Sequence, residues 1–359
     1  MQPREVVQAL LRHEISERMG VYEHWWEETL RDAWPSQGYP EGAAPEDVFD
    51  YDIENCGGWF NTEPFHGTTE TLEETDEWIL RRDGRGATLR YWKGKSGTPE
   101  HVDFAVTDWD TWKRYREPLL TLDPSRLGDI EEVRKRLASA REKGRFTVYG
   151  QLFVFELLRA TMGDQNFLPA LLLEPDLIRD FCQVYLEHYR LHFDYLFREA
   201  GLPDGMFIYE DLGFSNGLFC SPATLRELIL PYERELVGFL KEYGLPVILH
   251  SCGDVRQAVP IIIEAGYDCL QPMEAKAGCD VVELAREYGD RLAFMGNINV
   301  VELTTNDKTR VEAEVLTKVR AMREMRVPYF FHSDHSIPPN IRYDTYRYAL
   351  DVFRQNWTY

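Results

Sequence analysis

The sequence has no apolar run that approaches the roughly 20 residues a helix needs to span a bilayer. It opens on a charged segment without an apolar stretch behind it, so we expect no signal peptide. Basic residues are scarce relative to acidic ones, with 40 Lys plus Arg against 61 Asp plus Glu and a formal net charge of -21. This balance opposes binding to nucleic acid or an anionic membrane through a broad basic surface.

Cysteine is sparse as well. The 6 cysteines are scattered along 359 residues and form no dense framework of the kind that staples small secreted domains. We therefore expect free thiols and a cytoplasmic location. The chain does have 44% hydrophobic residues, which is enough to bury a large core.

Strands and helices alternate regularly from about residue 126. Predicted strands, each followed by a helix, lie at residues 145–150, 206–209, 246–250, 268–271, 292–296 and 328–332. Two more, near 20–22 and 49–54, would make eight. This rhythm is typical of βα units with a parallel sheet and predicts a TIM (β/α)8 barrel. A doubly wound open sheet is the alternative, but no glycine-rich dinucleotide fingerprint follows any predicted strand.

The region 35–120 does not share this rhythm. It is rich in Trp, Gly, Asp and Glu, and two alternating segments, 77–82 and 87–92, flank an Asp-Gly-Arg-Gly turn. That pattern predicts a β-hairpin. We expect one barrel domain over residues 1–359, with 35–120 as an N-terminal insertion of short strands and loops that covers one end.

The most informative stretch is the apolar strand that ends in His250-Ser251-Cys252. Side chains at positions i and i+2 of a strand point the same way, so His250 and Cys252 are expected to converge. Imidazole and thiolate together make a natural half-site for zinc. The alternative is a buried histidine beside a free core cysteine.

Two further polar clusters follow predicted strands. Glu210 and Asp211 follow the strand 206–209, and His332, Asp334 and His335 lie at the end of the strand 328–332. In a barrel the carboxyl ends of all strands form one rim, where active sites lie. The sequence therefore predicts one shared pocket, although ordinary solvated loop polarity would explain each cluster alone.

Several ordered segments carry a family resemblance. They are Glu210-Asp211-Leu212-Gly213, Ser221-Pro222, His250-Ser251-Cys252-Gly253, Gly296-Asn297-Ile298-Asn299-Val300 and His335-Ser336-Ile337-Pro338. With this set the chain resembles the uroporphyrinogen decarboxylase superfamily over about residues 145–355. The resemblance implies a single TIM barrel and one of two chemistries.

The first chemistry is cofactor-free decarboxylation of uroporphyrinogen. That branch uses an early arginine-rich segment to hold the carboxylates of its substrate. The corresponding residues 19–26 contain no arginine, and Glu23 would repel a polycarboxylate. The resemblance therefore favours the second branch, the zinc-dependent methyltransferases of corrinoid systems.

The methyltransferase branch implies roles for particular residues. His250 and Cys252 match its first two zinc ligands, and His335 stands where the family has a later cysteine, so imidazole becomes the third ligand. Glu210 is then expected as a fourth ligand or proton acceptor, and Asp211 as a group that orients His250 or holds the substrate. His332 and Asp334 are candidates for fixing the tautomer of a ligand imidazole.

Asn297 and Asn299 are expected to bind the cofactor through the turn they occupy, although a tight turn alone would also explain that segment. An aromatic set could wall an apolar substrate pocket or simply be core; its members are Tyr22, His24, Trp25, Trp26, Trp59, Phe60 and Phe65.

The predicted function is zinc-dependent transfer of a methyl group between a corrinoid (cobalamin) and a small thiol, folate or methyl ether. A corrinoid protein and a second copy of the chain are the implied protein partners, with no nucleic acid and no membrane. The alternatives are a decarboxylase or lyase, and a non-catalytic barrel that serves as a binding subunit.

Overall fold

The protein, known from a computed structural model that describes residues 1–94 and 98–359, is built around a parallel β-barrel. Its strands in chain order are β1 (Gly20–Val21), β2 (Ile53–Asn55), β3 (Glu70–Glu74), β4 (Trp78–Arg82), β5 (Ala87–Trp92), β6 (Glu100–Phe104), β7 (Phe146–Leu152), β8 (Gly205–Tyr209), β9 (Gly213–Phe214), β10 (Gly217–Leu218), β11 (Val247–Ser251), β12 (Cys269–Pro272), β13 (Ala293–Met295) and β14 (Tyr329–Phe331).

The helices surround this sheet. They are α1 (Pro3–Leu11), α2 (Pro45–Val48), α3 (Trp109–Arg116), α4 (Ile130–Glu142), α5 (Val154–Met162), α6 (Asp164–Leu173), α7 (Pro175–Ala200), α8 (Pro222–Leu228), α9 (Leu230–Glu242), α10 (Val259–Ala265), α11 (Val281–Tyr288), α12 (Val300–Thr304), α13 (Lys308–Met325) and α14 (Tyr343–Arg354). No helix among the described residues is long and apolar enough to cross a membrane.

Eight strands form the barrel in the order β1-β14-β13-β12-β11-β8-β7-β2, and every recorded pairing between them is parallel. The two edge strands meet where the Asp52 N–H donates to the Val21 carbonyl at 3.0 Å. Arg18 forms a bidentate ion pair with the buried Asp52 carboxylate, which also accepts from the Val21 N–H. The predicted TIM barrel is therefore confirmed.

The barrel interior changes character along its axis. The lower part is apolar, because inward-facing residues such as Phe146, Phe207 and Ile248 pack with Val7 and Leu10 of α1, which closes the amino-terminal end. Towards the carboxyl ends of the strands the inward-facing residues become polar. This gradient follows the two-residue repeat of each strand and places the chemistry at one mouth.

The extra strands predicted before residue 120 are present. β3, β4, β5 and β6 form a four-stranded antiparallel sheet, and Arg82 pairs with Thr88 across the predicted hairpin turn. Phe104, the last residue of β6, packs against Gly163 at the end of α5.

One helix differs from the sequence-based expectation. In place of the single helix expected between the strands at 206–209 and 246–250, the structure has two helices, α8 and α9, that break at Ile229. Pro231 explains the break, because it lacks the backbone N–H that a continuous helix would use there.

We expect His188 of α7 to make the protein sensitive to acid. Its side chain is fully buried, it donates from Nδ1 to the Leu119 carbonyl at 2.9 Å, and burial lowers its pKa to about 3. Between the ordinary histidine pKa and this value the unfolded chain binds the extra proton, so the free energy of unfolding falls as pH falls.

The variant His188→Asn keeps an N–H donor but does not titrate. The acid limb of its unfolding free energy, measured by denaturant titration at several pH values, should be shallower by up to about 1.4 kcal/mol per pH unit. Parallel curves for the two proteins would contradict this role of His188.

Candidate metal centre

His250 and Cys252 lie side by side at the carboxyl end of β11. The Nε2 atom of His250 is 3.3 Å from the Sγ atom of Cys252, and both residues are partly exposed at the barrel mouth. Ile248, two residues earlier, faces the barrel interior, so the repeat of the strand carries His250 inward as well. The structure thus brings the first two predicted ligands together.

Asp211 completes a group of three metal-binding side chains. Its Oδ1 atom accepts from the Cys252 N–H at 2.8 Å and lies 3.5 Å from His250 Nε2. Within the described parts of the chain, Asp211, His250 and Cys252 are the group whose nitrogen, sulfur and oxygen ligand atoms all lie within 4.8 Å of one another. This mixture of imidazole, thiolate and carboxylate suits zinc.

Burial favours the neutral forms of His250 and Cys252. It lowers the pKa of His250, against the opposing effect of the Asp211 carboxylate. It raises the pKa of the Cys252 thiol, and Asp211 and Glu274 raise that pKa further. Neutral imidazole is the form that binds a metal, whereas the thiol must lose its proton as the ion enters.

Glycine is required directly after Cys252. Gly253 has a φ of +81°, and a Cβ atom there would collide with the backbone of Gly213 in β9. The Asp254 N–H donates to the Phe214 carbonyl at 2.8 Å, and the Leu212 N–H donates to Ser251 Oγ at 3.0 Å. These contacts join the loop that carries Cys252 to the loop that carries Asp211.

His335, the third ligand expected from the sequence, lies outside this group of three. Its ring stacks on Trp26 with the centroids 5.9 Å apart. It is close enough to the mouth that its charge lowers the pKa values of His250 and His332. The position next to His250 and Cys252 is taken by Asp211.

Glu210 points away from the mouth. Its carboxylate accepts from the Phe155 and Glu156 N–H groups at 2.9 and 2.7 Å, at the start of α5. On its other side lies Glu233 of α9, and burial raises the pKa of Glu210 well above its usual range. The strand repeat explains this, because Tyr209 faces inward and the next residue must face outward.

His332 and Asp334 have different surroundings. His332 is fully buried, and Gln271 links it to His250, since Gln271 Nε2 is 3.2 Å from His332 Nε2. Asp334 accepts from the backbone N–H groups of Ala275 and Val300 at 3.0 and 2.8 Å. It therefore connects the loop after β12 to the loop after β13.

Asn297 and Asn299 also bind backbone. Asn297 donates to the carbonyls of Met273 and Cys279 and accepts from the Val281 N–H at 3.1 Å. Asn299 caps α12 by accepting from the Val301 N–H at 2.9 Å. Both side chains therefore stabilise loops at the barrel mouth through hydrogen bonds to backbone.

The sequence analysis did not predict that Gln271, His24 and Tyr209 form hydrogen bonds around the centre. Gln271 Oε1 lies 2.5 Å from His250 Nδ1, and Gln271 Nε2 lies 3.4 Å from His24 Nδ1. Tyr209 O–H lies 3.3 Å from His24 Nε2. The alternation of inward- and outward-facing residues along each strand could have indicated two of them. By this alternation Tyr209, His250 and Gln271 are the last inward-facing residues of three adjacent strands.

The aromatic set divides between the mouth and the core. Trp59 is 42% exposed, and its ring lies over Tyr209 with the centroids 5.4 Å apart. Trp25 instead packs in the core against Trp34 and Phe49. Trp59 therefore lies beside the candidate metal centre, next to Tyr209, whereas Trp26 stacks on His335.

Residues 85–355 match the uroporphyrinogen decarboxylase (URO-D) family, and because this is well over half of the chain, the protein belongs to that family. The resemblance found in the sequence is confirmed. Over 192 residues the chain is 28% identical to the methylated-thiol--coenzyme M methyltransferase of Methanosarcina mazei, in an alignment that covers 51% of this chain and 46% of that protein. The chain thus matches about half the length of this curated relative.

A solved structure, a methyltransferase from Methanosarcina mazei, superposes on 99% of both chains with a TM-score of 0.68 at 15% sequence identity. At this identity the likeness concerns the fold. Both similar proteins carry the name methyltransferase, in keeping with that branch of the superfamily.

We predict that Gly253→Ala displaces the Cys252 loop. The matched control is Gly244→Ala, because Gly244 has a similar φ of +75° but open space around its Cα atom. Gly253→Ala should lower the free energy of unfolding by about 1–3 kcal/mol more than the control, since its Cβ atom meets backbone. Denaturant titration of both variants measures the difference, and equal losses would contradict the proposed close approach.

Proposed function

We propose that the protein is a zinc-dependent methyltransferase that moves a methyl group between a corrinoid and a small substrate, with a thiol as the favoured substrate class. The observation that carries the proposal is the group Asp211, His250 and Cys252 at the mouth of a barrel of this family. The name of the curated relative supports the thiol, and the resemblance found in the sequence supports the corrinoid.

In this proposal Asp211, His250 and Cys252 hold the ion, and His335 stands beside it. Zinc bound there would lower the pKa of a thiol or hydroxyl at its open position and so make that group a better nucleophile for a methyl group.

The residues of the chain supply binding and orientation. Trp59 and Tyr209 offer an apolar wall beside His250, whose ring centroid lies 5.1 Å from that of Tyr209. Such a wall excludes water from a reacting sulfur and limits its orientations, which favours the in-line approach that methyl transfer needs.

The metal is tested by elemental analysis of protein purified without added zinc. We expect about one zinc per chain for a site of this donor set, and loss of most of it in Cys252→Ala and Asp211→Asn. Cys220→Ala is the matched control, because Cys220 is also partly exposed but lies outside the group.

Binding of zinc by Cys252→Ala as tightly as by the parent would remove Cys252 from the site. Zinc retained in Asp211→Asn but lost in His335→Ala would restore the ligand set expected from the sequence.

The reaction is tested by mixing the protein with cob(I)alamin and a panel of methylated thiols, ethers and amines. We expect the absorbance of methyl–cobalt to appear with a methylated thiol, and its rate to fall at least about 100-fold in Cys252→Ala, because zinc is lost. Absence of methyl–cobalt with every donor, together with release of CO2 from a carboxylic acid, would favour the decarboxylase alternative.

A further inference from the structure

A chain of hydrogen-bonded side chains runs inward from the candidate metal centre. It begins at His250, whose Nδ1 atom lies 2.5 Å from Gln271 Oε1. Gln271 Nε2 lies 3.2 Å from His332 Nε2, and His24 Nδ1 lies 3.0 Å from the same atom. Gln271 and His332 are at most 1% exposed. Because these two side chains are shielded from solvent, their polar atoms must find partners within the protein.

His332, at the inner end of these hydrogen-bonded side chains, fixes the direction of the other hydrogen bonds. His332 Nδ1 lies 2.6 Å from the Ser333 carbonyl oxygen, which can only accept. His332 therefore carries its proton on Nδ1, and Glu23 Oε1, 3.2 Å away, lies on the same side. In the neutral ring the Nε2 atom is then an acceptor.

The two groups that lie next to His332 Nε2 must therefore be donors. His24 donates from Nδ1, so its Nε2 atom accepts from the Tyr209 hydroxyl at 3.3 Å. Gln271 donates from its amide nitrogen, which settles the orientation of the amide group. The amide oxygen consequently faces His250 Nδ1, which must carry the proton.

We propose that Gln271 is a positioning residue that holds His250 in its Nδ1–H tautomer, with the Nε2 lone pair directed at Cys252 and Asp211. The tautomer follows from the hydrogen bonds alone, whereas its purpose, presenting Nε2 to a metal, rests on the proposed function. Ligand histidines need such a partner, since the bond made by one ring nitrogen decides which nitrogen is free.

Lowered pKa values agree with neutral rings throughout the chain. Burial lowers the pKa of His250 and of His24, and it lowers that of His332 to about 3. Neutral rings are what the alternating donors and acceptors require.

The test begins with metal-free protein labelled with 15N at histidine. Long-range 1H–15N correlation spectra distinguish the two tautomers of a neutral imidazole. We expect His24, His250 and His332 all in the Nδ1–H form. The variant Gln271→Met removes the acceptor and should move His250 towards the Nε2–H form, while Gln271→Glu keeps an acceptor oxygen and should retain Nδ1–H.

The matched control is Gln151→Met. Gln151 is also 1% exposed on a barrel strand, but it donates to the Phe60 carbonyl and takes no part in the chain of histidines. Both methionine variants lose a buried amide, so a general loss of stability affects both. The tautomer of His250 should change only in Gln271→Met.

Zinc affinity, measured by competition with a chelator, gives the second readout. We expect Gln271→Met to bind zinc about 10- to 100-fold more weakly than the parent, with Gln151→Met unchanged. An Nε2–H form of His250 in the metal-free parent would overturn the proposal, and so would an unaltered tautomer in Gln271→Met. If the parent binds no zinc but shows the expected tautomers, the proposed function fails while the role of Gln271 in orienting His250 stands.

Discussion

The two-residue repeat of the barrel strands is the constraint on which the candidate centre depends. β8, β11 and β12 are adjacent and parallel, so their carboxyl ends meet at one mouth with their side chains in step. The repeat turns His250 inward and brings Cys252 to the same side, whereas Glu210 is carried into the layer between barrel and helices. A slip of one residue in β11 would exchange these faces and disperse the donor atoms.

The same repeat places polar side chains inside the barrel. The free-energy cost of burying them is offset by internal hydrogen bonds. Burial raises the pKa of Glu23 to about 8, yet its oxygens accept from the N–H and hydroxyl groups of Ser333. His332 is fully buried and has partners at both ring nitrogens. Satisfied networks of this kind stabilise a single arrangement, because any member left alone would be a buried unpaired polar group.

The features that could be predicted from the sequence are those that depend on the periodicity of the strands. The sequence identified the barrel and the approach of His250 to Cys252, because both follow from local repeats. It did not distinguish Asp211 from His335 as the neighbour of that pair, since His335 lies four residues beyond β14 in a loop whose path depends on packing. No role beside His250 was predicted for Gln271, because an amide is not a typical metal ligand. His24 was placed only in the aromatic set, because it lies beyond β1, a strand of two residues.

Anomalous X-ray scattering at the zinc absorption edge, from crystals of the zinc-loaded protein, would show directly where the ion binds. We expect a peak at about 2.0–2.3 Å from His250 Nε2, Cys252 Sγ and an Asp211 carboxylate oxygen. A peak at another place in the molecule, or no peak at the barrel mouth, would contradict this expectation.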